Sequence, residues 1–343
     1  MPQAIGFEQR LRKGRRQYEH RPTVYKRATP GSSSTDRGRG RGVPSACGNF
    51  GRNPTQRWGR SGAPGPSSCD CYREAMHSRP SSEASGSVEA SAAAFSVREP
   101  PLFDDPADER RHRLESLAAA CRLFGRLGFS EGLLGHLTVR DPEQHHRLWL
   151  NPIGVSFRQM KVSDLVQVNY LGELTHGTRA VNPVGLRLHT AVHAARPDVN
   201  AMCHAHSPHG RAWSTLGRLL DPISQDSCVF FEQQALIVDP RIALNEELAS
   251  RFADAFGAKR VGIQEGHGIF TTGQSIDEAA WWFVSMESCC HTQLLAEAAG
   301  TPKMWPPDQA RTLARGLGSP TFGWQSFQPF WDELIESEPD MLH

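Results

Sequence analysis

The 343-residue chain carries 38 Lys and Arg against 37 Asp and Glu, and its formal net charge is +1. This average conceals two different pieces, because residues 1–95 hold 16 basic and 7 acidic side chains and leave 22 and 30, a net charge of −8, for residues 96–343. No run of about 18 apolar residues exists, which excludes a transmembrane helix. The eight cysteines form no CxxC pair, and this pattern favours a reduced, cytoplasmic protein.

Residues 1–95 are predicted to be a disordered tail rich in Arg, Gly and Ser. Gly, Ser and Pro make up 33 of them, whereas Leu, Ile, Val and Phe supply 8, too few to offset the entropy lost on ordering. The basic runs Arg10–Arg16 and Arg37–Gly42 suit phosphate backbones. Such a composition is also typical of translated upstream DNA, and Met76 offers an internal start. An inert or misassigned extension is therefore favoured over a targeting segment or a nucleic-acid-binding arm.

Strands and helices alternate irregularly from residue 96 to residue 300, which predicts one α/β domain with helices around a mixed sheet. Apolar residues spaced by three or four mark the helices, and short apolar runs bounded by Gly or Pro mark the strands. The predicted helices are Asp108–Gly128, Val184–Ala195, a helix capped by Ser207, Asn245–Phe256 and a long helix from Ser275 to Ala299. The predicted strands are Leu134–Arg140, Arg147–Leu150, Leu165–Tyr170, Val199–Ala205, Cys228–Phe231, Ala235–Val238, Arg260–Gln264 and Gly268–Thr272.

Histidines carry the strongest chemical signal in this domain. His204 and His206 end a predicted strand, where side chains two residues apart point to the same face. Two such imidazoles are a pair of metal ligands that needs a third. His267, between glycines at a strand junction, is the best candidate, although packed histidines would give the same pattern. His189 and His193 precede the pair on a helix and could act as acid/base groups or pack the helix.

Several motifs, in order along residues 104–299, resemble the class II aldolase/adducin family. The resemblance implies a three-layer α/β/α domain with a central mixed, largely antiparallel sheet. It also implies a homotetramer that binds a small-molecule substrate, and one divalent metal per subunit, Zn²⁺ or Fe²⁺, on His204, His206 and His267. The matching segments are Gly135–Arg140 (family pattern Gly-Asn-x-Ser-x-Arg), Asn151–Gly154, Arg187–His189, His204–Ser207 and Gly266–Phe270.

The chain departs from the family pattern at two places. Sugar-phosphate aldolases of the family carry Ser-Ser-Glu where this chain reads Pro-Val-Gly at 183–185, so the resemblance implies that the general base is missing. The first loop reads Gly-His in place of Gly-Asn at 135–136. We therefore expect an anion pocket better suited to a carboxylate or 2-oxo acid than to a sugar phosphate, with substrate-binding residues Gly135, His136, Thr138 and Gly154.

Two residues are predicted to take over acid/base catalysis. Glu232 falls near the position where family aldolases place a proton-donating Tyr, and His189 lies on the helix before the metal ligands. Glu265 and Asp226 are alternatives to Glu232.

The predicted function is a divalent-metal-dependent lyase that cleaves a C–C bond in a small oxygenated acid or carbonyl compound, by aldol cleavage or decarboxylation. One alternative is a non-heme Fe(II) oxygenase/decarboxylase of a prenylated 4-hydroxyphenylpyruvate or mandelate in antibiotic biosynthesis. The aromatic segment Gly323–Trp331 resembles that branch of the family. The C-terminal residues 301–343 are expected to pack on the domain or a neighbouring subunit, or to cover an aromatic substrate. The other alternative is a non-catalytic, adducin-like binding module.

Overall fold

The computed structural model describes residues 98–239 and 245–343, and the predicted N-terminal tail lies outside these residues. Eight strands form one sheet in the order β4-β3-β2-β1-β5-β8-β7-β6. Neighbouring strands are antiparallel except β6 and β7, which are parallel. The predicted mixed, largely antiparallel sheet is confirmed. The strands are β1 His136–Arg140, β2 Arg147–Leu150, β3 Val166–Asn169, β4 Leu174–His176, β5 Ala201–Ala205, β6 Gln234–Ile237, β7 Val261–Gln264 and β8 Gly268–Gly273.

Helices cover both faces of the sheet. They are α1 Pro106–Arg126, α2 Pro183–Ala195, α3 Pro208–Ser214, α4 Gln225–Cys228, α5 Glu246–Phe256, α6 Ile276–Ala299, α7 Pro307–Leu317 and α8 Pro320–Ser337. None of the helices in the described ranges is both long and apolar enough to cross a membrane.

Three apolar clusters separate the layers, and the two larger ones flank the central strands. One lies between the sheet and helices α1 and α6, and the other lies between the sheet and helices α2 and α5. Successive strand residues alternate between them, since Cys203 and Ile269 belong to the first core and Met202 and Phe270 to the second. His204, two residues after Met202, therefore points to the α2 side of the sheet.

Helix α2 begins where its sequence predicts. The Asn182 side chain accepts hydrogen bonds from the backbone N–H groups of Val184 and Gly185, and Pro183 occupies the first turn. This cap fixes the position of Gly185 beside strand β1.

The predicted strand Cys228–Phe231 is wrong. Ser224 and Ser227 cap each other reciprocally and start the short helix α4, and a turn follows it. The apolar run resembles a buried strand because Cys228, Val229 and Phe230 are buried in the core. Local capping chemistry decides the backbone conformation here.

Asp141 holds the end of strand β1 in place. Its buried carboxylate accepts hydrogen bonds from Arg110 Nε at 2.8 Å, Trp149 Nε1 at 2.9 Å and Gln167 Nε2 at 2.9 Å. Burial by itself would raise the pKa of Asp141, but the hydrogen bonds, led by that from Arg110, lower it. The carboxylate thus stays ionised and joins α1 to the three strands β1, β2 and β3.

The C-terminal aromatic segment packs on the domain as helix α8. Trp324 and Phe327 are buried, and the ring of Phe330 lies 6.2 Å from that of Trp281 of α6, measured between centroids. Phe327 belongs to the core on the α1 and α6 side, whereas His204 points to the opposite face. Within one chain, this helix therefore cannot cover the histidine cluster as a lid.

Candidate metal centre

The structure brings His204, His206 and His267 together. His204 lies on β5, His206 follows that strand, and His267 lies in the turn between β7 and β8. One ligand atom from each imidazole lies within 4.8 Å of the other two. Throughout residues 98–239 and 245–343, no other group of three or more His, Cys, Asp or Glu residues meets this criterion.

Hydrogen bonds orient two of the three rings. His204 Nδ1 donates to the Ile269 carbonyl at 2.9 Å, and its ring stacks on Phe270 with centroids 3.9 Å apart. His267 Nδ1 donates to Gln264 Oε1 at 2.6 Å. A neutral imidazole has one N–H, so both Nε2 atoms keep the lone pair that a metal requires.

The three imidazoles are neutral near pH 7. Burial lowers the pKa of His204 well below its usual value and that of His267 to about 4. Burial and then the charge of Arg211 lower the pKa of His206, while Glu131 opposes them. The Nε2 atoms of His206 and His267 lie only 3.2 Å apart. Neutral imidazoles with converging nitrogens fit a divalent cation such as Zn²⁺ or Fe²⁺.

Thr138 does not line the predicted anion pocket. Its buried hydroxyl lies 2.7 Å from His189 Nδ1 and 3.0 Å from His193 Nε2. Both histidines are buried on α2, and His193 Nδ1 lies 3.2 Å from the Val199 carbonyl oxygen. The hydroxyl is committed to the two imidazoles, so the predicted contact between Thr138 and the substrate is wrong.

His136 lies between this buried group and the metal ligands. Its ring centroid is 4.4 Å from that of His189 and 5.3 Å from that of His204. Burial, followed by the neighbouring His189, lowers its pKa well below the usual value, so the ring is neutral. Neither ring nitrogen has a hydrogen-bond partner.

A shallow pocket opens beside His136. Gly135 and Gly154, both predicted to contact substrate, lie on its two loops with φ angles of +89° and +86°. A side chain at 135 would press on Phe157, because a Cβ there would lie 3.2 Å from that ring. Asn151 accepts a hydrogen bond from the Leu137 N–H at 2.9 Å and so ties the second loop to β1.

The structure does not bring Glu232 to the cluster. Strands β6 and β7 are parallel. Glu232 precedes the start of β6, whereas His267 follows the end of β7. The two residues therefore lie at opposite ends of this strand pair. Arg311 Nε donates to the Glu232 carboxylate at 3.0 Å, and that side chain is largely exposed. The assignment of Glu232 as an acid/base residue is therefore not retained. Its alternative Asp226 is also exposed, on α4.

Sequence reasoning missed two positioning residues. Gln264 orients His267, and its own side-chain N–H donates to the Asp239 carbonyl at 2.9 Å. The buried Glu287 of α6 accepts from the Ser207 hydroxyl at 2.5 Å and so holds the residue directly after His206. Neither residue stands in a motif. Gln264 is only three positions from His267, whereas Glu287 is 80 positions from Ser207.

Residues 115–294 match the family described as Class II Aldolase and Adducin N-terminal domain. The chain belongs to the class II aldolase/adducin family. Among the curated members, it is 39% identical over 247 residues to "Decarboxylase NovR" of Streptomyces niveus, covering 71% of this chain and 92% of that protein.

Two further members of the family extend this comparison. The protein is 39% identical to the "4-hydroxy-3-prenylphenylpyruvate oxygenase/4-hydroxy-3-prenylbenzoate synthase" of Streptomyces roseochromogenus subsp. oscitans, over 71% of this chain and 89% of that protein. Among solved structures, the "L-fuculose 1-phosphate aldolase from Glaciozyma antarctica PI12" matches with a TM-score of 0.67 and 38% identity, over 71% of this chain and 97% of that one. The predicted three-layer class II aldolase fold is confirmed.

Proposed function

We propose that this class II aldolase/adducin family protein is a divalent-metal-dependent lyase that cleaves a C–C bond in a small oxygenated acid or carbonyl compound. The observation that carries the proposal is the convergence of three neutral imidazoles, His204, His206 and His267, on one point. A metal bound there supplies Lewis acidity that polarises a substrate carbonyl or hydroxyl oxygen.

The charges around the centre favour an acid as substrate. The three proposed ligands are neutral, so they leave the charge of a divalent ion uncompensated, and an anionic substrate would balance it. The pocket next to His136 has no Lys or Arg among the described residues that line it. Phosphate dianions are held mainly by such cations and by backbone N–H groups. A carboxylate held beside the metal suits this chain better than a sugar phosphate.

A second candidate function has its own support. The chain resembles a decarboxylase and a prenylphenylpyruvate oxygenase to the same extent, 39% identity in each case. With iron in the site, the protein would be an oxygenase/decarboxylase of an aryl 2-oxo acid or mandelate in antibiotic biosynthesis. A non-catalytic module, as suggested by 30% identity to mouse alpha-adducin, would not require three converging imidazoles.

The proposal extends to a cytoplasmic homotetramer. Leu133 and Leu134, in the loop that forms one wall of the pocket, are 59% and 41% exposed. Contact with a second subunit would bury these side chains beside the substrate. Light scattering of the purified protein should give a mass of four chains, and a monomer would contradict this part of the proposal.

Metal analysis of protein purified with and without air tests the central claim. One equivalent of zinc in both preparations supports the lyase. One equivalent of Fe(II), lost or oxidised in air, supports the oxygenase. Protein that holds no metal under either condition, and takes up none on addition, would refute both enzyme functions.

A further inference from the structure

Three unpaired polar atoms meet beside the proposed metal centre. Five buried side-chain nitrogens in the described residues lack a hydrogen-bond partner, and three of them are His136 Nδ1, His136 Nε2 and His189 Nε2. An unpaired buried polar atom destabilises the fold, so native proteins pair nearly all of them with protein, water or ligand. Even if His136 and His189 share one hydrogen bond, one nitrogen of His136 has no partner in the protein, and a bound molecule would supply it.

Gly185 makes the place for the His136 ring. A Cβ at position 185 would lie 2.0 Å from His136 Cε1 and 2.3 Å from its Nε2, far inside contact distance. No side chain can therefore stand at 185 while His136 keeps this position. The two departures from the family pattern, Gly at 185 and His at 136, therefore depend on each other. The imidazole of His136 occupies the space into which a side chain at position 185 would project.

A chain of hydrogen bonds sets the tautomers behind His136. His193 Nδ1 lies 3.2 Å from the Val199 carbonyl oxygen and 3.4 Å from Arg140 Nη2. The carbonyl contact is the shorter one and a carbonyl can only accept, so His193 Nδ1 donates to it and His193 Nε2 is an acceptor. The Thr138 hydroxyl then donates to His193 Nε2 and accepts from His189 Nδ1. His189 Nε2 is left with its lone pair, and the His136 ring is a close neighbour, 4.4 Å away between ring centroids. If His136 gives its one N–H to this lone pair, its second nitrogen is a buried acceptor left without a partner, on a residue that lines the pocket.

We propose that His136 contacts the substrate and accepts a hydrogen bond from a substrate hydroxyl group, with Gly185 and His189 as its positioning residues. The inference rests on the proposed function and deepens it, because the hydroxyl partner selects a 2-hydroxy acid or the enol of a 2-oxo acid. His136 lines the pocket, and its ring is 5.3 Å from that of the metal ligand His204. A substrate held by the metal is therefore within reach of it.

Ligand binding to the full-length, zinc-loaded protein tests this role without measuring turnover. The probes are mandelate and its methyl ether, 2-methoxy-2-phenylacetate, which cannot donate the hydrogen bond, and calorimetry gives the ratio of their dissociation constants. Methylation also weakens metal chelation, but no variant changes one of the three proposed ligands, so we expect this loss to be the same in each. The change of the ratio between variants therefore isolates the contact with His136.

Two substitutions remove the contact by independent routes. His136→Leu deletes the acceptor, and Gly185→Ala displaces the ring without altering it. We expect each to reduce the preference for mandelate roughly three- to tenfold, the effect of one neutral hydrogen bond, with one zinc retained per chain. The matched controls are His146→Leu, on the exposed turn after β1, and Gly316→Ala in α7, where a Cβ meets no atom within 4 Å. Both should keep the wild-type ratio.

Other outcomes separate this inference from the function on which it rests. An unchanged ratio in Gly185→Ala with zinc retained would overturn the role of His136 and leave the metal centre standing. The same conclusion follows if zinc-loaded wild-type protein binds neither probe. Failure of wild-type protein to bind zinc or iron would overturn the proposed function and the inference together. If His136→Leu does not fold, Gly185→Ala decides alone.

Discussion

Gln264 shows how a residue outside every motif can determine whether a metal is held. Its side chain accepts from His267 Nδ1, which leaves Nε2 to bind the ion, and donates to the Asp239 carbonyl. Residues that orient a ligand in this way commonly contribute 10- to 100-fold to metal affinity.

Substitution of Gln264 should weaken the metal centre without removing a ligand. We expect Gln264→Ala to lower zinc affinity by about 10- to 100-fold, and His204→Ala to abolish stoichiometric binding because it removes a ligand. Competition with a chelator measures both. Gln325→Ala on α8 is the control and should bind zinc as the wild type does. Unaltered zinc content in His204→Ala would contradict the ligand assignment.

Buried neutral histidines also predict how stability depends on pH. Burial and then the charge of Arg140 lower the pKa of His193 to about 3, and burial lowers that of His267 to about 4. An unfolded histidine titrates near 6.5. As the pH falls below about 6.5, the unfolded chain therefore binds protons that the folded protein does not, and the free energy of unfolding decreases.

Urea unfolding of metal-free protein between pH 7.5 and pH 4.5 measures this slope. His193→Gln removes one group that titrates differently in the folded and unfolded states. We therefore expect the free energy of unfolding to fall less steeply with decreasing pH, with a slope smaller than that of the wild type by up to about 1.4 kcal/mol per pH unit. His146→Gln, at an exposed position, should keep the wild-type slope. Identical slopes in all three proteins would show that His193 is not held neutral by the fold.

At the scale of elements, the cores on the two faces of the sheet were predictable from local patterns. The periodicity in α1, α2, α5 and α6 gave these helices close to their observed bounds. The strand predicted at 228–231 was wrong because its apolar residues are equally suited to a buried turn. Periodicity reports burial, and in a short segment burial does not distinguish a strand from a turn.

Helix α1 is joined to the C-terminal segment by a nearly buried arginine. Arg122, 6% exposed, donates from Nε to the Met160 carbonyl at 2.8 Å and from its two terminal nitrogens to Glu338 and Asp340 at 2.9 Å. Removal of the guanidinium leaves the Met160 carbonyl without this partner inside the protein.

We expect Arg122→Ala to lower the free energy of unfolding by about 2 kcal/mol, the contribution of charged hydrogen bonds in a mostly buried setting. Arg98→Ala is the matched control, because the Arg98–Asp332 pair also reaches the C-terminal segment but is more than half exposed; its effect should stay below about 1 kcal/mol. Denaturant unfolding measures both. Equal effects would show that Arg122 contributes no more than a surface ion pair.

At the scale of the whole molecule, the net charge of +1 is a cancellation between a basic N-terminal piece and a folded part with a net charge of −8. Every residue assigned to the site lies between positions 135 and 267. We therefore expect a chain that starts at Met76 to bind one metal per subunit with wild-type affinity and to melt at the wild-type temperature. Weaker metal binding by the shorter chain would show that the N-terminal residues support the site.

Taken by itself, the sequence determined the alternation of helices and strands, the family, and the three imidazoles that converge on one point. The helices and strands follow from periodicity, and the family follows from motifs of neighbouring residues. His267 is 61 positions from His206 and joins the pair because it stands between glycines at a strand junction. The tertiary structure decided the rest: Thr138 is committed to two buried histidines, Glu232 lies at the opposite end of β6 and β7, and the His136 ring fills the space beside Gly185. Residues 136 and 185 are 49 positions apart in the chain. The packing of α2 against β1 brings them together, so that the His136 ring can occupy its position only if residue 185 is glycine. Contacts of this kind depend on distances that no local pattern encodes.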